Sequence, residues 1–182
     1  MREWQHHTPF RVPTTGDFHF VDYLRESNLS GNVFHFGSGF HHHVGVACHV
    51  LNLPFHIHST TSCKEEMKVY MEILDRNPDL MNHYRVMYGD VYSLKSRELP
   101  VYNVVFLPHL MEYSSQETPG VLDTGLMSIL LDRLEDDGVL ILWNGSNKFK
   151  ETMKLIRNTD SINQRIKQTE VTKTLEVYRK VL

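Results

Sequence analysis

At 182 residues the chain is long enough to bury a full core without disulfide or metal staples, and short enough to form one domain. Its 41% hydrophobic and 23% charged content is ordinary for a globular protein, and a formal net charge of −3 argues against a strongly basic nucleic-acid binder. No apolar run reaches the length of a membrane span, the N-terminus Met1-Arg2-Glu3-Trp4-Gln5-His6-His7 is too polar for a signal peptide, and the two cysteines, Cys48 and Cys63, make no disulfide framework, so a reducing cytoplasmic setting is expected.

Residues 1–16 carry Pro9, Pro13 and Gly16 without a clear period and read as an N-terminal arm or lid. Asp17 or Thr15 is placed to cap a short helix over Phe18–Glu26, which ends near Asn28–Gly31. The apolar run Asn32–Phe36 reads as the first strand. It leads into Gly37-Ser38-Gly39 and a helix from Val44 to Leu51, stopped by Asn52-Leu53-Pro54. Phe55–Ser59 is the second strand, and Ser62 with Glu65 reads as the capping box of a helix running to about Asp75. Tyr84–Tyr88 and Tyr102–Leu107 are the third and fourth strands, the first of them followed by Gly89-Asp90. A polar connection over 108–121 precedes a helix from Val121 to Leu134; Glu135-Asp136-Asp137-Gly138 turns the chain into a fifth strand, Val139–Trp143. Lys148–Asn158 is helical, its Lys148, Lys150, Lys154 and Arg157 forming a solvated face. Ile162–Val171 and Leu175–Leu182 alternate as an antiparallel hairpin does. Val104, Val105, Phe106, Ile129, Leu130, Leu140, Ile141 and Leu142 are the expected core.

Five apolar strands alternating with helices call for a mostly parallel sheet with helices on both faces, to which the hairpin adds antiparallel edge strands. Val33 to Gly39, Phe55 to Met67, Gly89-Asp90-Val91-Tyr92-Ser93-Leu94, Tyr102 to Phe106 and Leu134 to Leu142 stand in the order, and at the spacing, of five motifs of one family. On these segments the chain, over residues 17–182, resembles the class I S-adenosylmethionine-dependent methyltransferases. The resemblance implies an α/β fold, a Rossmann-like three-layer sandwich with a mostly parallel sheet of about seven strands and a C-terminal antiparallel hairpin. It also implies that 17–182 is a single methyltransferase-like domain. In open α/β sheets a ligand sits beyond the carboxyl ends of the strands, near the switch in strand order. By similarity, S-adenosylmethionine would place its methionine part over Gly37, Ser38 and Gly39. His35, His58, Thr60, Asp90, Val91 and Leu107 would also line the cofactor. Asp90 can accept from an adenine amino group.

The family's acidic residue near the end of strand one has His35 nearby here, and its further loop glycine gives way to Phe40-His41-His42. The family's acidic end of strand two is replaced by His58, Ser59, Thr60 and Thr61, which lack the charge assistance of a carboxylate. His56 and His58 share a strand face, so with His35 on the neighbouring strand they are candidate metal ligands. No Cys-x-x-Cys or His-Glu-x-x-His spacing accompanies them, and no metal is assigned. After strand four, His109 is placed to take a proton from an oxygen or nitrogen nucleophile, with Glu112 or Tyr113 orienting the acceptor. The expected activity is therefore methyl transfer to oxygen or nitrogen of a small-molecule or flexible acceptor, with the arm (Trp4, His6, His7, Phe10) as a cover over the site. The alternative is a catalytically inactive methyltransferase-like binding or scaffold subunit. Another Rossmann-like nucleotide binder is a weaker reading, because position 42 is His rather than the third glycine of Gly-x-Gly-x-x-Gly. An oligomer or a partner subunit fits either of the first two.

Overall fold

A computed structural model describes residues 12–113 and 120–181. The expected arm lies largely outside them, including Trp4, His6, His7 and Phe10. The chain forms two compact units, residues 1–91 and 92–182.

The first unit begins with helix α1, Thr15–Glu26. Its cap is Thr14: the Thr14 hydroxyl accepts from the Asp17 N–H, and the Asp17 carboxylate accepts from the Thr14 N–H at 2.8 Å. Asp17 is thus the third helical residue of a capping box rather than the cap, and the helix takes in Thr15 and Gly16. Strand β1 (Gly31–His35), helix α2 (His43–Val50), strand β2 (Phe55–Thr61), helix α3 (Lys64–Arg76) and strand β3 (Tyr84–Tyr88) follow. β2 pairs in parallel with β1 on one side and β3 on the other.

β2 is longer than its apolar run suggests, because Thr60 and Thr61 pair with Met87 and Tyr88 of β3. The extension moves the start of α3. Thr61 Oγ1 accepts the Cys63 N–H at 3.0 Å, Cys63 becomes the N-cap, and the expected Ser62–Glu65 capping box does not form. Helix α2 packs closely on β3 because residue 45 is glycine: a Cβ there would lie 2.2 Å from the Tyr84 ring.

In the second unit, β4 is Tyr102–Leu107, α4 is Val121–Asp132 and β5 is Leu134–Trp143. β5 starts earlier than expected. The acidic turn is absorbed into the strand as an irregularity, with Asp137 at φ 64° and a register shift against Tyr102 and Val104. Lys180 Nζ donates to Leu134 O at 2.6 Å and Arg179 donates to Asp137 O at 2.8 Å, which holds the bulged stretch against its neighbouring strand. Helix α5 (Phe149–Asn158) is followed by a separate turn of helix, α6 (Asp160–Asn163). The hairpin strands are β6 (Ile166–Val171) and β7 (Leu175–Lys180), and β7 runs antiparallel to both β5 and β6.

The sheet order is β3-β2-β1-β4-β5-β7-β6, the seven-stranded, mostly parallel α/β arrangement with a C-terminal antiparallel hairpin that was expected. The expected core residues are buried, except that Ile129 is only half-buried. No helix among the described residues is long and apolar enough to cross a membrane.

Candidate functional site

In the first unit the loop after β1 bears the two glycines in left-handed conformations, Gly37 at φ 87° and Gly39 at φ 60°. The Gly37 N–H donates to Thr60 Oγ1 at 3.3 Å and the Ser38 N–H to Thr60 O at 3.0 Å. Thr60, expected to line the cofactor, braces the loop and is buried. A Cβ on Gly37 would meet none of the described residues within 4 Å, so the backbone there faces space that they leave open. Gly39 differs, since its missing Cβ would lie 2.6 Å from the His41 ring, which covers it.

β2 itself ends without a carboxylate, as the sequence reads, but α3 brings one to it. Glu66, in the first turn of that helix, turns back over the strand end. Its Oε2 accepts from Ser38 Oγ at 3.1 Å and Thr61 Oγ1 at 2.6 Å, bridging the glycine loop to β2. Burial raises the Glu66 carboxyl above its ordinary range, and the Thr61 and Ser38 hydroxyls pull it part of the way back. Sequence reasoning missed Glu66. The only signal was a pair of carboxylates, Glu65 and Glu66, in a helix's first turn, and a shift of the cap by one residue decided which of them faces inward.

His35 does not present its ring to the open space. It is 2% exposed, with Nδ1 3.0 Å from Ser59 Oγ and Nε2 3.6 Å from Asp17 Oδ1. Ser59 also meets the Tyr84 hydroxyl, and that hydroxyl lies 2.8 Å from His42 Nδ1. His42 Nε2 is 2.9 Å from the Glu66 carbonyl. A carbonyl can only accept, so Nε2 carries the proton and Nδ1 accepts from Tyr84. A buried polar chain thus runs from α1 through β1, β2 and β3 to the starts of α2 and α3.

Burial pushes His42 down to about 4 from 6.5, against the opposite pull of the Glu66 carbonyl. The unfolded chain therefore takes up a proton below about 6.5 that the folded chain refuses until about 4. His42 thus favours folding above that window and costs stability as pH falls through it, by up to about 3 kcal/mol. Urea unfolding at pH 7, 5.5 and 4.5 checks this. The loss in acid should be smaller in His42→Gln than in the parent, and parallel slopes would remove His42 as its cause.

The three-imidazole arrangement does not form. Parallel pairing of His35 with Ser59 puts His35 on the Ser59 face of the sheet, opposite His56 and His58. His56 Nδ1 lies 2.8 Å from the Asn82 carbonyl oxygen, while His58 is half-buried beside Arg85, with burial lowering its pKa. Among the described residues no group of three His, Cys, Asp or Glu side chains is gathered to hold a metal. Gly89, whose N–H donates to Thr61 O at 2.8 Å, leads from β3 to Asp90, which is half-buried, and Val91, which is buried.

In the second unit, Leu107, expected to line the cofactor, lies beside Met127, Leu130 and Leu131 and is 2% exposed. Beyond it, His109 Nδ1 lies 3.2 Å from Glu112 Oε2, and the His109 ring stands edge-on to Trp143 at 5.5 Å and to Tyr113 at 6.3 Å. Glu112 Oε1 accepts from Ser146 Oγ at 2.6 Å and the Asn147 N–H at 3.1 Å. Burial would raise the Glu112 carboxyl, but His109, Ser146 and Asn147 together hold it below its ordinary range. The sequence placed Glu112 toward an acceptor; the structure turns it onto His109. The backbone around it is pinned as well. The Met111 N–H donates to Asp123 Oδ1 at 2.9 Å with Met111 at φ 68°, and Thr152 Oγ1 donates to Leu110 O at 3.2 Å. Left-handed backbone at a non-glycine residue persists only where its surroundings over-determine it.

No family model and no curated protein matches the chain by sequence. Solved structures match it by fold. An N-methyltransferase, NodS from Bradyrhizobium japonicum WM9, solved in complex with S-adenosyl-L-homocysteine, superposes with a TM-score of 0.64 at 8% identity, over 98% of this chain and 94% of its own. An rRNA methylase from Streptococcus thermophilus gives 0.60 at 12% identity, over 94% of this chain and 99% of its own. An O-methyltransferase family protein from Burkholderia thailandensis gives 0.56 at 9% identity, over 91% of this chain and 56% of its own. The chain therefore has the class I methyltransferase fold.

Proposed function

We propose that the chain binds S-adenosylmethionine on the Gly37–Gly39 loop and transfers its methyl group to an oxygen or nitrogen acceptor. The observation that carries this reading is the pairing of an open glycine cradle with a carboxylate: free space over Gly37, and Glu66 tied to Ser38 and Thr61 beside it. NodS holds S-adenosyl-L-homocysteine on the same fold. Gly37, Ser38 and Gly39 would lie against the methionine part of the cofactor, Glu66 would accept from its ribose hydroxyls, and Asp90 from its adenine amino group. When bound, the cofactor supplies an electrophilic methyl group on a sulfonium. His109 takes the acceptor's proton, and Glu112 orients its ring and favours the imidazolium that results. The rest of the rate comes from alignment of acceptor and methyl.

The three neighbours are an N-methyltransferase, an rRNA methylase and an O-methyltransferase family protein, so the fold leaves the acceptor open. The two free cysteines agree with a cytoplasmic setting.

Calorimetric titration with S-adenosylmethionine and S-adenosylhomocysteine tests the proposal. Dissociation constants on the order of micromolar are expected for a site of this kind. Glu66→Gln should weaken both by about 10- to 100-fold, the worth of a hydrogen bond to a charged acceptor. Absence of binding to either ligand by folded protein would overturn the reading. A binding subunit without turnover is the second reading. It is favoured by His35, which is buried against Ser59 and Asp17 near the position where the family carries an acid. Cofactor binding without methyl transfer to any acceptor offered would support it.

A further inference from the structure

The segment after β4 is held at successive residues by different elements of the second unit. Leu110 is held through its carbonyl by Thr152 of α5, and Met111 through its N–H by Asp123 of α4. Glu112 is held through its carboxylate by Ser146 and Asn147 of the β5–α5 loop. Two of these contacts fix backbone. The third fixes a charge, because it leaves Oε2 of Glu112 3.2 Å from His109 Nδ1.

From this geometry we infer that Ser146 is a positioning residue: it holds Glu112 against His109 and so sets the ring's orientation. The inference rests on the reading of His109 as the proton acceptor.

The short Ser146 contact and the Asn147 N–H occupy one carboxylate oxygen, leaving the other as the partner of Nδ1. The β5–α5 loop can deliver both donors because residue 145 is glycine. A Cβ there would lie 2.6 Å from the Trp143 indole, the same indole that stands edge-on to His109. Other titratable groups among the described residues stand near the pair. Tyr113 is edge-on to the imidazole, and Asp123 of α4 has Oδ1 engaged by Met111 and the Tyr92 hydroxyl. Lys148, at the start of α5, is paired with Glu151. Glu112 is the only carboxylate among the described residues within ion-pair distance of His109.

The test reads His109 directly and needs neither cofactor nor acceptor. The imidazole carbon–proton resonance of His109, assigned by its loss in His109→Gln, is followed by NMR at fixed pH. Glu112→Gln should displace the resonance, because the carboxylate beside the ring is gone. Ser146→Ala should displace it in the same direction by a smaller amount, and Ser146→Thr, which keeps the hydroxyl, should restore it. If Ser146→Ala leaves the resonance in place, or if Ser146→Thr displaces it as far as alanine does, the assignment is overturned. Adding S-adenosylmethionine to the parent protein separates the two readings. Cofactor binding with a resonance unmoved in Ser146→Ala sinks the positioning role alone, whereas a displaced resonance without cofactor binding upholds that role and sinks methyl transfer.

Discussion

Gly37→Arg abolishes binding of S-adenosylmethionine and leaves the protein folded. Both halves of this expectation come from the loop. The open space at the Gly37 Cβ position means that a long side chain meets no atom of the described residues on leaving the backbone. The structural penalty is then mainly the φ of 87°, worth about 1–2 kcal/mol for a residue with a Cβ. The same open space is where the ligand would lie, and a guanidinium there would oppose the cofactor's sulfonium as well as its volume. An affinity loss of more than about 100-fold is expected, against a shift in unfolding midpoint of a few degrees. Gly37→Ala separates the contributions: it carries the backbone strain without the bulk, so it should bind measurably. Calorimetry for binding and circular dichroism for unfolding make the comparison. Parent-like affinity in the arginine variant would place the ligand elsewhere.

Asp17→Ala should cost about 3–5 kcal/mol of stability, because one buried carboxylate holds several polar groups at once. It closes the capping box on Thr14, worth about 1 kcal/mol by itself. It also faces His35 Nε2 at 3.6 Å and His41 Nε2 at 3.8 Å. Removing it strips buried polar partners in α1, β1 and the glycine loop together. Burial pushes the Asp17 carboxyl up, but His35, the Thr14 N–H and His41 outweigh it and hold the group well below the carboxylate range. The sign follows from that. The unfolded aspartate protonates near 3.8 while the folded one stays ionised, so its contribution is complete above about pH 4 and declines as pH falls below it. Urea unfolding at pH 7 and at pH 3 measures both effects. Asp17→Asn, which keeps the shape and one acceptor oxygen, should lie between parent and alanine at pH 7, and its gap from the parent should narrow in acid. A loss below about 1 kcal/mol in Asp17→Ala would reduce the residue to a helix cap.

Strands whose apolar runs end at a strong punctuation were legible residue by residue. β3 stops before Gly89-Asp90 and β4 before Pro108, and both have the boundaries expected of them. Where polar residues continue a strand, the pattern fails. Thr60 and Thr61 extend β2 because β3 offers them partners, and Leu134 begins β5 because Lys180 and Arg179 of β7 hold the acidic bulge. Those partners are distant in sequence, so no local pattern contains them.

The candidate site divides in the same way. The amino-acid sequence by itself determined the order of strands and helices, the glycine loop and the residues around it, because those follow from hydrophobic period and backbone freedom, which are local. It also displayed the histidines, though not their use. Only the tertiary structure decided that His35 and His42 are members of a buried polar chain, that Glu66 brings a carboxylate to the end of β2, and that Glu112 lies against His109. Side-chain hydrogen bonds and charge pairs depend on which elements fold against one another, and a one-residue shift in a helix cap is enough to turn a carboxylate from solvent toward the loop.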